Sequence, residues 1–426
     1  LPSSVFRLAP RRRRRRMRGR PLLFPSYEAD SAIFPSTTKK VAIVIFFLVA
    51  VTLPLQLVPG LKWLGENVWM VILGQALIFA IGALGLNILT GMAGQVSLGH
   101  AFFMGVGAYT AVVLGGEQSS SLVGMGLPMW IWLPAAGVVA SLVGALVAPT
   151  AVRVRGLYLA FVTIALVFVG DHVFRNLRSV SGGPGIGREW PPIELKLWKG
   201  ETSLLNLNAD GSWFGIEFSR QAKQFLFLVV VSSLFALAHK NLARTRVGRA
   251  FAAIRDRDIA AEVMGVNEVR YKALAFALSS FFAGSAGALL AAFFGSRVPE
   301  AWDLLLSVQF IAIILIGGAG TTAGVLLGSF FVVMVPRLVE TFTGWLADLT
   351  GQTGPLAAVA NFILATGPAD FGLVGTTPVG PGLSVFQLNL VLYGALIVLF
   401  LIFEPLGLFG LWLRIRNYWK GWPFTY

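Results

Sequence analysis

The 426-residue chain predicts an all-α polytopic membrane protein, and three observations carry that expectation. Hydrophobic residues make up 56% of it and charged residues 13%, against about 25% charged in an ordinary soluble domain. Apolar runs close to the ~20 residues that cross a bilayer as a helix recur along its length, and the mean hydropathy is +0.75. Glycine is abundant, at 48 residues, as expected where helix backbones approach closely through small side chains. The expected architecture is about ten transmembrane helices. Two odd-numbered five-helix halves of opposite orientation are one way to arrange them.

Residues 1–40 read as a disordered basic cytoplasmic tail. Arg11–Arg16 is an unbroken arginine run, and Pro10, Pro21, Pro25 and Pro35 forbid a long helix. No apolar run follows the arginines directly, which excludes a secretory signal. Met17 marks a second place where translation would start, in which case part of the tail is not native. Spans are expected at 41–59, 68–88, 101–114, 129–151 and 157–174. Arg153 and Arg155 place the turn between the last two inside. Residues 175–222 then form an extracytoplasmic loop. Asp171 and His172, adjacent at a span end, read either as a proton relay or as a wetted interfacial pair.

A span at 223–239 leads into the longest charged segment of the apolar region, 240–272, with eight Lys/Arg and four Asp/Glu. A basic loop between spans belongs on the cytoplasmic side. Residues 248–264 read as one amphipathic helix. Phe251, Ile254, Ile259 and Val263 form its apolar stripe, Arg249, Arg255, Arg257, Asp258 and Glu262 surround it, and Gly265 is its stop. Such a helix either lies on lipid headgroups or docks a cytoplasmic partner. A span at 271–294 follows. Residues 304–335 are too long for one span and are broken by GGAGTTAG at 317–324, as either one bent helix or two spans around a cytoplasmic glycine turn. No Lys or Arg occurs from Leu338 to Leu413, which places the insert 341–384 outside and favours two spans. Residues 356–365 alternatively dip into the membrane. The last span, 386–403, returns the chain to a cytoplasmic tail at 414–426.

The glycine-rich run 89–100 and the break 317–324 fall in comparable places. Paired interrupted helices point to a transport site; the alternative is that the glycines serve helix packing alone. Absence of cysteine excludes disulfides and thiol chemistry. His100, His172 and His239 have no metal-ligand spacing, and no GxxxxGK[ST] loop is present. No metal and no cofactor of its own is therefore expected. The formal net charge of +14 follows the positive-inside bias rather than a nucleic-acid surface.

The runs GLNILTGMAGQVSLGHAFFMGVGAYTA (85–111), RGLYLAFVTIAL (155–166), SGGPGIG (181–187), VGRAFAAIRDRDIAAEVMGVNEVRYKALAFALSSFFAGSAGAL (247–289), LIGGAGTTAGVLLGS (315–329) and EPLGLFGLW (404–412) occur in one order. Together they resemble the signature of bacterial branched-chain amino-acid ABC-transporter permeases, most closely the LivM-type subunit. Urea and short-amide permeases share these blocks. The resemblance covers roughly 41–340 and 386–413 and implies a permease domain over 41–413. It implies a second homologous permease subunit, two cytoplasmic ABC ATPases that bind the ATP, an extracytoplasmic substrate-binding protein, and a bacterial or archaeal plasma membrane. On this reading the chain is not itself an enzyme.

The family's ATPase-coupling loop falls on 240–270, with Gly248, Arg249, Phe251, Arg255, Arg257, Asp258, Ala260, Ala261, Glu262 and Gly265 as the coupling residues. The substrate path is expected along Asn87, Thr90, Gly91, Gln95, Ser97, Gly99 and His100, with Gly182 and Gly183, and with Gly317, Gly318 and Gly320 as carbonyls or a hinge. The arginine tail and the insert 341–384 depart from the family pattern. Alternatives are a urea or short-amide permease, or a secondary transporter working without ATP.

Overall fold

A computed structural model describes residues 37–56, 65–154, 156–196, 205–213, 216–350, 361–365, 374–375, 383–404 and 406–421. The arginine run of the basic tail lies outside these residues, as does most of the insert. The helices in chain order are α1 (Thr37–Thr52), α2 (Asn67–Leu86), α3 (His100–Gly115), α4 (Met129–Arg153), α5 (Leu157–Asn176), the one-turn α6 (Arg178–Ser181), α7 (Arg220–Leu242), α8 (Arg246–Asp256), α9 (Asp258–Val263), α10 (Glu268–Phe294), α11 (Leu304–Gly317), α12 (Thr322–Thr350), α13 (Val385–Phe403) and α14 (Gly407–Gly421). Seven of the described helical segments are long and apolar enough to cross a membrane, and three further apolar helices are shorter. The chain is an all-α polytopic membrane protein.

Small side chains decide which helices lie at the centre. In α2 and α10, 72% of the apolar window is buried, against 33% in α4, α5, α7 and α12. Along α10, Gly284 and Gly287 let α3 approach to backbone contact. A Cβ on Gly107 of α3 would lie 2.2 Å from the Gly284 Cα, and one on Gly287 would lie 2.0 Å from the Met104 carbonyl oxygen. Large apolar side chains on the outer helices, such as Leu146, Tyr158, Phe161 and Phe168, point away from the protein, as lipid-facing positions should.

Side chains cap the helices. Thr245, Asn267 and Asp303 accept backbone N–H bonds at the starts of α8, α10 and α11. Ser384 and Gln387 form a reciprocal capping box at the start of α13. The buried Lys272 pairs with Glu268 one turn back in α10.

Several boundaries differ from the expectations. The 248–264 helix is two helices. Arg257 is extended, with φ −157° and ψ 103°, and Asp258 opens a new helix, its carboxylate accepting the Ile259 N–H at 2.9 Å. Only the first half of the apolar stripe packs inward: Phe251 and Ile254 are buried, whereas Ile259 and Val263 are exposed. The 304–335 region is two helices, because α11 ends at Gly317 and α12 starts at Thr322. Helix α12 runs on to Thr350, so the first part of the insert is helical; no proline interrupts 337–350. The described remainder of the insert includes a small three-stranded parallel sheet, β7 (Leu364–Ala365), β8 (Val374–Gly375) and β9 (Leu383–Ser384). Residues 356–360 of the suggested membrane dip lie outside the described residues. The tail from 414 continues α14 as far as Gly421.

The 175–222 loop has regular structure, and α7 begins at Arg220 with Ser219 as its cap. Short strands pair β1 (Arg188–Glu189) with β6 (Ser296–Arg297), β2 (Glu194–Leu195) with β3 (Leu205–Asn206), and β4 (Gly211–Trp213) with β5 (Ile216–Phe218). Arg188 is buried, and its Nη1 donates to the carbonyls of Val123 at 2.9 Å and Val180 at 3.1 Å. Burial lowers the pKa of its guanidinium from the ordinary value. Asp171 accepts from Arg175 at 2.8 Å, and Arg175 also reaches Glu300 at 3.4 Å. Asp171 is partly exposed and His172 exposed.

Candidate functional site

The two glycine breaks meet, and the charged loop reaches their junction. At the end of α2, Asn87–Met92 widens into a π turn. Ala93 N–H bonds the carbonyl five residues back, that of Ile88, at 3.1 Å, and Gln95 N–H bonds Leu89 O at 3.0 Å. Gly94 then takes φ +70°, a left-handed conformation that suits glycine. The next helix, α3, has 16 residues and rises about 24 Å, less than the ~30 Å hydrocarbon core. Irregular backbone such as segment 93–99, next to a short apolar helix, is tolerated in a bilayer only if the protein satisfies it.

Protein side chains do so. Thr163 of α5 accepts Leu98 N–H at 2.9 Å, and Ser307 of α11 accepts Ala101 N–H at 2.9 Å. Within the segment, Thr90 donates to Gln95 O at 3.0 Å, and Ser97 accepts Gly99 N–H at 3.3 Å.

The second break is built on Gly318, with φ +117°, and Gly320, with φ +82°. Thr321 closes it by donating to Gly318 O at 3.0 Å and accepting Gly324 N–H at 3.2 Å. The Gly320 N–H donates to Asn87 Oδ1 at 2.7 Å, joining this break to the π turn. On its other side, Asn87 Nδ2 faces His239 Nε2 of α7 at 3.2 Å, and His239 Nδ1 faces Thr322 Oγ1 at 2.9 Å. The amide is a donor there, so Nε2 accepts and Nδ1 carries the proton toward Thr322. Asn87 and His239 are both fully enclosed, at 0% and 1% exposure. A polar network at such depth is stable because each member has a partner.

Arg255, in the last turn of α8, completes the junction. Its Nη1 donates to the Gly91 carbonyl oxygen. Its stem lies against Gly94, where a Cβ would come within 3.1 Å of the Arg255 Cα, and its Nη1 would meet a Cβ on Gly320 at 3.0 Å. Phe251, one turn earlier, is buried and meets Tyr271 of α10 edge-on, with ring centroids 6.4 Å apart.

Asn87, Thr90, Gly91 and Gly320 from the expected path thus gather with Arg255 from the expected loop. His239, Thr322, Thr163 and Ser307 join them without having been singled out. His100 is the first residue of α3 rather than part of the irregular segment, and it packs on Phe310 with ring centroids 4.9 Å apart. Gly317 ends α11 in close contact with Gly324 and Gly328 of α12. Gly182 and Gly183 sit apart, in the turn after α6, with φ +81° and +97°. Ala261 is buried; Arg257, Ala260, Glu262 and Gly265 are exposed, and Gly265, at φ +84°, ends the α9 segment. Among the described residues, no group of three or more His, Cys, Asp or Glu is placed to hold a metal ion.

Two interrupted helices are thus satisfied inside a polytopic bundle, with a charged loop seated on their junction. Residues 69–401 match the family described as branched-chain amino acid transport system / permease component, and the chain belongs to that family. It is 33% identical over 280 residues to the high-affinity branched-chain amino acid transport system permease protein LivM of Salmonella typhimurium, covering 63% of each chain. It is 34% identical over 278 residues to LivM of Escherichia coli, covering 62% of each. The ribose import permease protein RbsC of Haemophilus influenzae is 24% identical over 269 residues, 61% of this chain and 73% of that protein. The chain thus spans a little under two thirds of the length of its LivM relatives. No solved structure matches it.

Proposed function

We propose that this chain is one of two homologous membrane subunits of an ABC importer for branched-chain amino acids. Two cytoplasmic ATPase subunits bind and hydrolyse the ATP, and an extracytoplasmic binding protein delivers the substrate. The complex sits in the inner membrane, with both termini of this chain cytoplasmic. The family, named for branched-chain amino acid transport, and the LivM relatives support the substrate class.

The observation that carries the mechanism is the contact of Arg255 with Gly91, beside Gly320. A partner that moves α8 and α9 pulls directly on both glycine breaks. Ile259, Val263 and Met264 offer that partner an apolar patch, being 65%, 81% and 83% exposed. In this reading the path opens and closes where α2 meets segment 93–99 and α11 meets α12. Thr90 and Gln95, both partly exposed, offer polar groups to a zwitterion that is costly to carry through hydrocarbon, and Asn87 holds the two breaks together behind them.

The test is purification of the tagged chain with its bound partners, followed by reconstitution in liposomes. ATP-dependent accumulation of leucine, with a second permease and two ATPases in the complex, is the expected result. Accumulation without ATP, or of urea in place of leucine, would overturn the reading.

A further inference from the structure

Far along α2 and α11 from the glycine breaks, a groove of ≈ 450 Å³ opens against α12. It continues into a recess of ≈ 210 Å³, and Gln75, Phe79 and Gln309 line both. At 1.5 Å per residue, Gln75 lies about 18 Å along α2 from Asn87, and Gln309 about 12 Å along α11 from Gly317. Both amides sit in membrane-crossing helices, where a polar group without a partner is costly. Among the described residues neither amide has a hydrogen-bond partner.

The same groove holds charges of both signs. Arg337 Nη1 pairs with Glu340 Oε2 at 3.2 Å, and both side chains stay partly exposed, at 40% and 54%. Val71, Ile72, Val332 and Pro336 form an apolar wall.

We propose that this groove receives a zwitterionic α-amino acid with an aliphatic side chain as it enters the membrane from the outer side. The inference rests on the importer reading above and names a site for its substrate. The carboxylate takes the exposed part of the Arg337 guanidinium, whose side chain is 40% exposed, and the amide N–H groups of Gln75 and Gln309. The ammonium takes Glu340 and an amide oxygen, and the side chain lies on Val71, Ile72 and Val332. An uncharged amide would engage neither member of the charge pair by its charge. A space of this size, within the ~300–1,000 Å³ range of ligand sites, holds a leucine loosely. Loose holding suits a path whose selectivity is set by the delivering protein.

The chain contains no cysteine, so Gln75→Cys or Gln309→Cys gives it a single thiol. In the assembled complex, a membrane-impermeant methanethiosulfonate reagent is added from the outer side, and modification of this chain is read by mass. Both variants are expected to be modified, and saturating L-leucine to slow the reaction about tenfold, as expected for a site about nine-tenths occupied. Thr110→Cys, in a separate surface groove on α3, is modified at the same rate with and without leucine. Arg337→Gln raises the KM for leucine uptake about tenfold, the loss of one charge-assisted hydrogen bond, and Arg337→Lys restores part of it.

Leucine uptake by the wild-type complex with no protection of either thiol overturns the groove while sparing the importer reading. Protection by urea but not by leucine overturns the zwitterion assignment together with the amino-acid reading. An unchanged KM in Arg337→Gln overturns the role given to that side chain.

Discussion

Arg255 donates to the carbonyl oxygen of Gly91, so one side chain ties the charged loop to the π turn that ends α2. The same guanidinium lies against Gly320 of the second break. In the importer reading, this contact predicts that Arg255→Ala lowers ATP-driven leucine uptake by about tenfold or more, a loss of about 1.4 kcal/mol or greater, while ATP hydrolysis by the complex continues. Arg255→Lys keeps the charge without the planar fork and falls between the two. Parallel assays of uptake and phosphate release check this. A variant that keeps full uptake would remove Arg255 from the coupling route.

Asn87 is the residue on which both breaks depend for a partner. Asn87→Leu leaves the Gly320 N–H and the His239 Nε2 unpaired, at a cost of about 1–3 kcal/mol for each buried group. The expected outcome is a clear fall in the thermal unfolding temperature of the detergent-solubilised protein. Gln224→Ala, which removes the contact to Asn208 at 2.9 Å on the strand-bearing side, provides a comparison that spares the junction.

The central crossing of α3 and α10 depends on missing side chains. Gly107→Ala places a methyl group 2.2 Å from the Gly284 Cα and must push the helices apart, costing about 1–3 kcal/mol or more. Gly344 of α12 has nothing within 4 Å of its added Cβ, so Gly344→Ala is neutral or stabilises by up to about 1 kcal/mol. Fluorescence-detected size-exclusion after a heating series separates the two outcomes.

Val263→Glu and Met264→Glu alter side chains that are 81% and 83% exposed, so the bundle should fold as before. In the importer reading they remove the apolar patch that seats an ATPase, and co-purification of ATPase subunits falls sharply. Retention of the ATPases by the double variant would direct attention away from α9.

The span pattern was legible because hydropathy, glycine and loop charge agree over most of the chain. Asn87, Gly91 and Gly320 were legible for a related reason: an asparagine ending a long apolar run, and glycines clustered in a break, are local anomalies. Arg255 stood out through its place in the charged loop. His239, Thr322, Thr163 and Ser307 carry no such signal, because each matters only for a backbone group or ring supplied by a helix distant in sequence. Gln75 and Gln309 were not singled out, because their common groove exists only once α2, α11 and α12 are assembled. The division of 248–264 at Arg257 escaped the periodicity, since Phe251, Ile254, Ile259 and Val263 keep helical spacing across it. What separates the halves is burial: the first pair has a partner within the chain and the second does not.

Arg188 grips the carbonyls of Val123 and Val180, β1 pairs with β6, and Glu300 meets both Arg175 and the Gly185 N–H. These bonds lace the α3–α4 connection, the end of α5 and the segment leaving α10 into one rim. At the glycine breaks, by contrast, the hydrogen bonds between elements come from single side chains such as Arg255 and Asn87. The bundle is therefore built like tongs, welded where the arms meet and articulated at the tips. Hydrogen exchange is therefore expected to be slower at the rim than at the glycine breaks.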